Sequence, residues 1–221
     1  MREIGIDEAG KGPVIGSMFV AGVSNFEGLE EIGVKDSKKL SPKKREYLAE
    51  LIEDATVVHV VEMSASEIDE GRKSHTLNEI MVELFSEVIC RFQPDRAFVD
   101  AADVNPNRFA MNLRASYERG EGAERQIEII SESKADERYP VVSAASIVAK
   151  VRRDRSIRQL EVEIGAEIGS GYPADPKTIQ FLKRLLKENA DIPPYVRRSW
   201  KTVERTLSSI NASFVRQSRF V

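Results

Sequence analysis

The chain has 221 residues, 41% of them hydrophobic and 31% charged, with a formal net charge of −3 and a single cysteine. That composition excludes a disordered or low-complexity chain, and the length allows one domain, or one with an appendage. The lone Cys90 excludes a disulfide framework and fits a reducing cytoplasm. No run reaches the roughly 18 apolar residues that a membrane span needs, and Asp7 and Glu8 interrupt the one early apolar run, so no secretory leader is expected.

In chain order, residues 2–7 read as a strand that runs straight into two adjacent carboxylates, Asp7 and Glu8, and then into Gly10-Lys11-Gly12. Residues 17–23 read as a second strand, its hairpin partner. Ser41 and Pro42 open a helix that continues through Leu48, Leu51 and Ile52. The β-rich stretch 56–63 reads as a third strand. Apolar residues at 77, 80, 81, 84, 85, 88, 89 and 92 predict an amphipathic helix, closed by Pro94. Residues 96–100 form a short strand that again ends in an acid, Asp100. A helix is expected over 106–117 and a fifth strand over 126–130. The rest reads as helical, over 140–163, 176–189 and 198–210, with irregular joints at 169–173 and 192–194. Strands interleaved with helices, then a helical last third, predict an α/β core with a mixed sheet and a helical cap.

Three strand exits thus deliver acids: Asp7 and Glu8, Asp100, and Asp136. Functional groups in open α/β sheets gather at strand C-terminal ends. Converging carboxylates raise one another's pKa, and a divalent cation removes that penalty. Oxygen-only ligands suit Mg²⁺ or Mn²⁺, whereas two histidines and one cysteine make a poor zinc set. Neighbouring strand residues point to opposite faces, so Asp7 and Glu8 share a site only if the strand ends there; otherwise Asp7 alone is functional. Taken singly, Asp100 could be a turn acid and Asp136 a helix cap.

The Gly10-Lys11-Gly12 loop offers backbone N–H groups and one cation to a phosphate or sugar, but matches neither a P-loop nor a dinucleotide fingerprint. Tyr172, between Gly171 and Pro173, either stacks on a sugar or base or packs its loop onto the core. Three stretches concentrate positive charge: six basic residues and one acid from Lys35 to Arg45, five and one from Lys150 to Arg158, eight and three from Lys177 to Arg205. They are either a basic face for nucleic acid or solvated helix faces.

Read together, these motifs resemble type II ribonuclease H (ribonuclease HII) in its archaeal form. The resemblance rests on Gly5-Ile6-Asp7-Glu8-Ala9-Gly10-Lys11-Gly12, Val34-Lys35-Asp36-Ser37-Lys38-Lys39-Leu40 and Phe98-Val99-Asp100. It continues through Lys134-Ala135-Asp136, Ala144-Ala145-Ser146-Ile147-Val148-Ala149-Lys150, Gly169-Ser170-Gly171-Tyr172 and Trp200-Lys201-Thr202-Val203. It implies a ribonuclease H-like fold, with a mixed five-stranded sheet flanked by helices and a helical C-terminal extension. The expected division is a catalytic core over 1–165, an extension over 166–212 packed on it, and a flexible tail over 213–221.

The implied activity is endonucleolytic cleavage of the RNA strand of RNA/DNA hybrids, and cutting 5′ to single ribonucleotides in duplex DNA. Two Mg²⁺ or Mn²⁺ ions would be held by Asp7, Glu8, Asp100 and Asp136. Gly10, Lys11 and Gly12 would read the 2′-OH at the RNA–DNA junction, Tyr172 would pack on the sugar, and Lys35, Ser37 and Lys38 would contact substrate. The family often has His where this chain has Ser133, so a proton-delivery role there does not carry over. The end of the chain, with Gln217 and Phe220, is a truncated match to a sliding-clamp-binding peptide. A cytoplasmic monomer with no membrane partner is expected. The competing classes are an actin-like ATPase, which usually needs two such domains, and a non-catalytic nucleic-acid-binding module.

Overall fold

The computed structural model describes residues 1–34, 40–120, 126–189 and 191–217, without side chains from 213 onward. The elements are β1 (Glu3–Ala9), β2 (Met18–Ser24), α1 (Pro42–Ala55), β3 (Val58–Met63), α2 (Ala65–Gly71), α3 (Leu77–Phe92) and β4 (Arg96–Asp100). They continue with α4 (Pro106–Arg119), β5 (Glu128–Glu132), α5 (Ala135–Arg138), α6 (Pro140–Ile164), α7 (Pro176–Glu188) and α8 (Lys201–Gln217). The five strands form one mixed sheet in the order β3-β2-β1-β4-β5. β1 runs antiparallel to β2 and parallel to β4, and β4 is parallel to β5. The α/β class and the mixed five-stranded sheet are as expected.

The chain divides into two compact units. The first comprises residues 1–9, 18–62 and 75–153 and contains the sheet. Glycines let helices sit directly on its strands. A Cβ on Gly22 would lie 2.4 Å from Val88 Cγ1 of α3, and one on Gly5 would lie 2.2 Å from the Val141 carbonyl carbon at the start of α6. Gly5 pairs with Val23 and Ile6 with Gly22, so by strand alternation these two helices cover opposite faces. On the α6 face, Leu48 and Ile52 of α1 pack with Ala145, Val148 and Ala149 of α6 in one buried cluster. On the other face α3 stacks on α4, with Phe85 and Phe109 edge to face at 5.3 Å.

The second unit gathers residues 10–17, 63–74 and 154–221. Within this unit the glycine loop is stitched to the C-terminal third. Val14 N donates to Gly171 O (2.9 Å), Gly16 N to Tyr195 O (2.8 Å) and Arg197 N to Val14 O (2.9 Å), and Ile15 bridges to Val196. Val14 and Ile15 are buried in one cluster with Ile168, Phe181, Leu182 and Val203.

Several elements depart from expectation, α2, β5 and α8 among them. α2 was not expected, although Ser64 and Glu67 form its capping box; its acid-rich turns give almost no apolar period. β5 lies two residues later than 126–130, in the register set by Arg96 opposite Glu128. α8 starts at Lys201 rather than 198, since Arg198 and Ser199 donate their backbone N–H groups to Asp69.

Candidate active site

β1 and β4 lie side by side with Ile6 opposite Val99, so the next pair along the register is Asp7 and Asp100. Asp7 sits two residues past Gly5 and shares its face, the face covered by α6. Asp136 arrives differently. After β5, Lys134 adopts a left-handed conformation (φ 57°, ψ 41°), which turns the chain into α5. Ala135 N then donates to Asp100 Oδ1 at 2.9 Å, and Asp136 is buried one residue on.

One carboxylate oxygen from each of Asp7, Asp100 and Asp136 lies within 4.8 Å of the others. Glu8 is outside this group. β1 continues to Ala9 instead of ending, so Glu8 occupies the alternate strand position and is half-buried. It acts on the cluster through its charge and its backbone, whose N–H donates to Asp7 Oδ1 at 2.7 Å.

Burial first, and the charge of Glu8 second, push the Asp7 carboxyl well above the usual carboxylate range. A hydrogen bond from Ser146 and the nearby Lys150 ammonium oppose that rise. Ser146 is buried on α6, one turn below Lys150, whose Nζ donates to Ser146 Oγ at 2.6 Å. Sequence reasoning did not single out either residue. Their i, i+4 spacing within the otherwise uncharged run 143–150 was the available signal. A divalent cation fits this cluster chemically: the donors are all oxygen, they are anionic, and their convergence is costly without positive charge.

The other expected site residues lie in the second unit, apart from three. Lys35, Ser37 and Lys38 are outside the described residues. Gly10 has φ 89°, a left-handed conformation that favours glycine, at the point where the loop leaves β1. Gly12 is exposed and Lys11 half-buried. A Cβ on Gly12 would lie 3.5 Å from Tyr172 Cε1, so the tyrosine ring rests beside the loop at ordinary contact distance. The Tyr172 turn is held by buried Thr178, whose Oγ1 accepts from Gly171 N (2.9 Å) and donates to Ile168 O (3.0 Å).

The basic stretches are not uniform faces. Besides Lys150, Arg152 pairs with Glu53 at 2.7 Å, and Arg153 and Arg197 are buried. Glu167 takes Lys177 at 2.5 Å. Among the described residues, no helix is long and apolar enough to cross a membrane.

Residues 4–203 match the family model for ribonuclease HII. The chain is 54% identical over 211 residues to the ribonuclease HII of Methanosarcina barkeri, covering 92% of this chain and 94% of that protein. The crystal structure of ribonuclease H2 from Pyrococcus horikoshii superposes with a TM-score of 0.85 at 41% identity, covering 96% and 99% of the two chains. Ribonuclease HII from Archaeoglobus fulgidus, solved as a complex with PCNA, superposes with a TM-score of 0.82 at 42% identity over 90% and 95%. With the acid cluster in place and the match spanning nearly the whole chain, the protein belongs to the ribonuclease HII family, the metal-dependent endonucleases that act on RNA paired with DNA.

Proposed function

We propose that this chain hydrolyses the RNA strand of RNA/DNA hybrids and also cuts 5′ to single ribonucleotides embedded in duplex DNA, leaving 3′-hydroxyl and 5′-phosphate ends. The observation that carries the reading is the cluster of buried Asp7 and Asp136 with half-buried Asp100, with one oxygen of each within 4.8 Å of the others. In this proposal Asp7, Glu8, Asp100 and Asp136 hold two divalent cations, Mg²⁺ or Mn²⁺. Bound there, such ions supply Lewis-acid activation of water and neutralise charge on the leaving 3′-oxygen.

The chain's own residues do the rest. Ser146 and Lys150 orient Asp7. Gly10, Lys11 and Gly12 present backbone groups to the 2′-OH, which distinguishes ribose from deoxyribose. Tyr172 packs against the sugar at the junction. Lys35, Ser37 and Lys38 contact the phosphate backbone, which makes binding salt-dependent. Because the Archaeoglobus relative is seen with PCNA, a sliding clamp is a proposed partner, with the C-terminal tail that includes Gln217 and Phe220 as its docking segment. The working form is a cytoplasmic monomer.

The test is incubation of the full chain, with Mg²⁺ or Mn²⁺, with a duplex carrying one ribonucleotide, and mapping of the cut. A single incision 5′ to the ribonucleotide, absent from an all-DNA duplex, is expected. Equal cutting of the all-DNA duplex, or no cutting in either metal, overturns the reading.

A further inference from the structure

The least expected group in the second unit is Arg197. It is fully buried, which is rare for an arginine. Its guanidinium is spent on the inner side of the glycine loop. Nη2 donates to Gly10 O (2.7 Å), Nη1 to Lys11 O (3.1 Å) and Nε to Gly16 O (2.9 Å). Trp200 completes the arrangement. Its ring centroid lies 4.9 Å from the Arg197 guanidinium carbon, and its Nε1 donates to Gly12 O at 3.3 Å.

Four carbonyls of one loop are therefore turned toward one arginine–tryptophan pair. The described peptide bonds are all trans, so each carbonyl points opposite to the N–H of the following residue. Holding the Gly10 and Lys11 carbonyls inward fixes the N–H groups of Lys11 and Gly12 on the outer side. Pro13 follows Gly12 and contributes no N–H. A cation against the carbonyl ends also polarises these peptide units and strengthens their N–H groups as donors. Burying a guanidinium is costly, and a rigid five-donor fork suits several fixed carbonyls better than an ammonium does.

We propose that Arg197 is a positioning residue for ribose recognition: by clamping the carbonyls of Gly10, Lys11 and Gly16, it presets the Lys11 and Gly12 N–H groups that read the 2′-OH, with Trp200 as its partner. This rests on the reading of the Gly10-Lys11-Gly12 loop given above. Arg197 touches no substrate in this role; it sets the geometry of groups that do.

The test is equilibrium binding of full-length protein to two duplexes that differ by one ribonucleotide, without divalent cation so that neither is cut. Wild type should prefer the ribonucleotide duplex. Arg197→Gln should lose about tenfold of that preference, the scale expected when a binding group is misplaced by a fraction of an ångström, while its affinity for the all-DNA duplex stays unchanged. Arg197→Lys should fall between. The sequence contains one tryptophan, so Trp200 emission reports on the loop; the ribonucleotide-dependent change in wild type should vanish in Arg197→Gln. If Arg197→Gln does not fold, Arg197→Lys and Trp200→Phe, which removes the Gly12 link and weakens the ring contact with the guanidinium, carry the test on the same preference. A folded variant with wild-type preference overturns the proposal, and so does an equal loss of affinity for both duplexes, which marks a merely structural role. If wild type shows no preference, the loop reading itself fails and the proposal falls with it.

Discussion

The carboxylate cluster and the glycine loop both crowd oxygens together, and they resolve the crowding in opposite ways. At the cluster, Asp7, Asp100 and Asp136 bring anionic oxygens within 4.8 Å, and burial drives the Asp7 carboxyl upward. Ser146 and Lys150 offset only part of this. At the loop, the carbonyls of Gly10, Lys11 and Gly16 converge on a guanidinium that the chain itself supplies. The cluster is thus shaped to take up positive charge from outside, and the loop is finished before any ligand arrives. A site of the first kind shows itself through ligand-dependent stability, and one of the second kind through stereochemical demands on single residues.

Asp7→Asn should break the cluster with the largest effect. It removes a buried anionic donor while nearly keeping its shape. Activity in Mg²⁺ should drop by on the order of 10³-fold or more, equivalent to several kcal/mol of transition-state stabilisation. The melting temperature without metal should hold or rise, since a neutral amide is less penalised by burial than a carboxylate. Mg²⁺ at about 100 times its Kd should stabilise wild type by about 2.7 kcal/mol, and the variant far less. Thermal melts with and without Mg²⁺, beside a cleavage assay, measure all three. A fully active variant, or one that keeps the Mg²⁺ shift, removes Asp7 from the metal site.

The same contrast explains what was legible in the sequence. Asp7 and Asp100 could be read because each ends a short apolar run, and strand ends are predictable from apolar patterning. Asp136 could be read as a site acid only in combination with the others; taken singly it was equally a helix cap, because nothing in the sequence announces that Lys134 turns left-handed before it. Whether Glu8 falls within the 4.8 Å group was readable only as one of two alternatives, since it depended on whether β1 continued to Ala9. Arg197 was not legible: its carbonyl partners lie 181 to 187 residues away, and backbone acceptors leave no trace in side-chain identity. The fold class was legible because helices and strands carry their period locally, whereas the grouping of residues 10–17 with the C-terminal third depends on long-range backbone bonds.

Gly5 and Gly12 sharpen the comparison at the next level of effect. They belong to one motif in the sequence but do different physical work. Gly5 lies where a Cβ would sit 2.2 Å from both backbone atoms of the Val141 carbonyl, which cannot swing aside as a side chain does. Gly5→Ala should destabilise the fold by about 3 kcal/mol, the upper range for overpacking, seen as a lower denaturant midpoint. Gly12 has room for a methyl group beside Tyr172 and no left-handed φ. Gly12→Ala should change stability by less than about 0.5 kcal/mol, yet weaken discrimination between ribonucleotide and all-DNA duplexes. Equal destabilisation by both substitutions would mean that Gly12, like Gly5, serves packing rather than close approach of a ligand.

The smallest effect concerns a carboxylate in the second unit whose environment is the reverse of that of Asp7. Asp175 caps α7, and its oxygens accept from Ser170 N at 2.6 Å and Lys177 N at 2.9 Å. Those hydrogen bonds, from Ser170 first and then from Lys177, hold its pKa below the ordinary value. A carboxyl whose folded pKa is depressed binds its proton more readily in the unfolded chain, so stability rises with pH across this range. The contribution is complete above the unfolded value, about 3.9, and is lost as pH falls through the lower folded value. Asp175→Ala should therefore be less stable than wild type by a constant margin between about pH 5 and 7, with the two curves converging below about pH 4. Denaturant titrations across that range measure the margin. Divergence toward low pH would mean that folding raises the Asp175 pKa instead of lowering it, and would erase the contrast between a carboxylate stabilised by its own loop and one that needs a cation from outside.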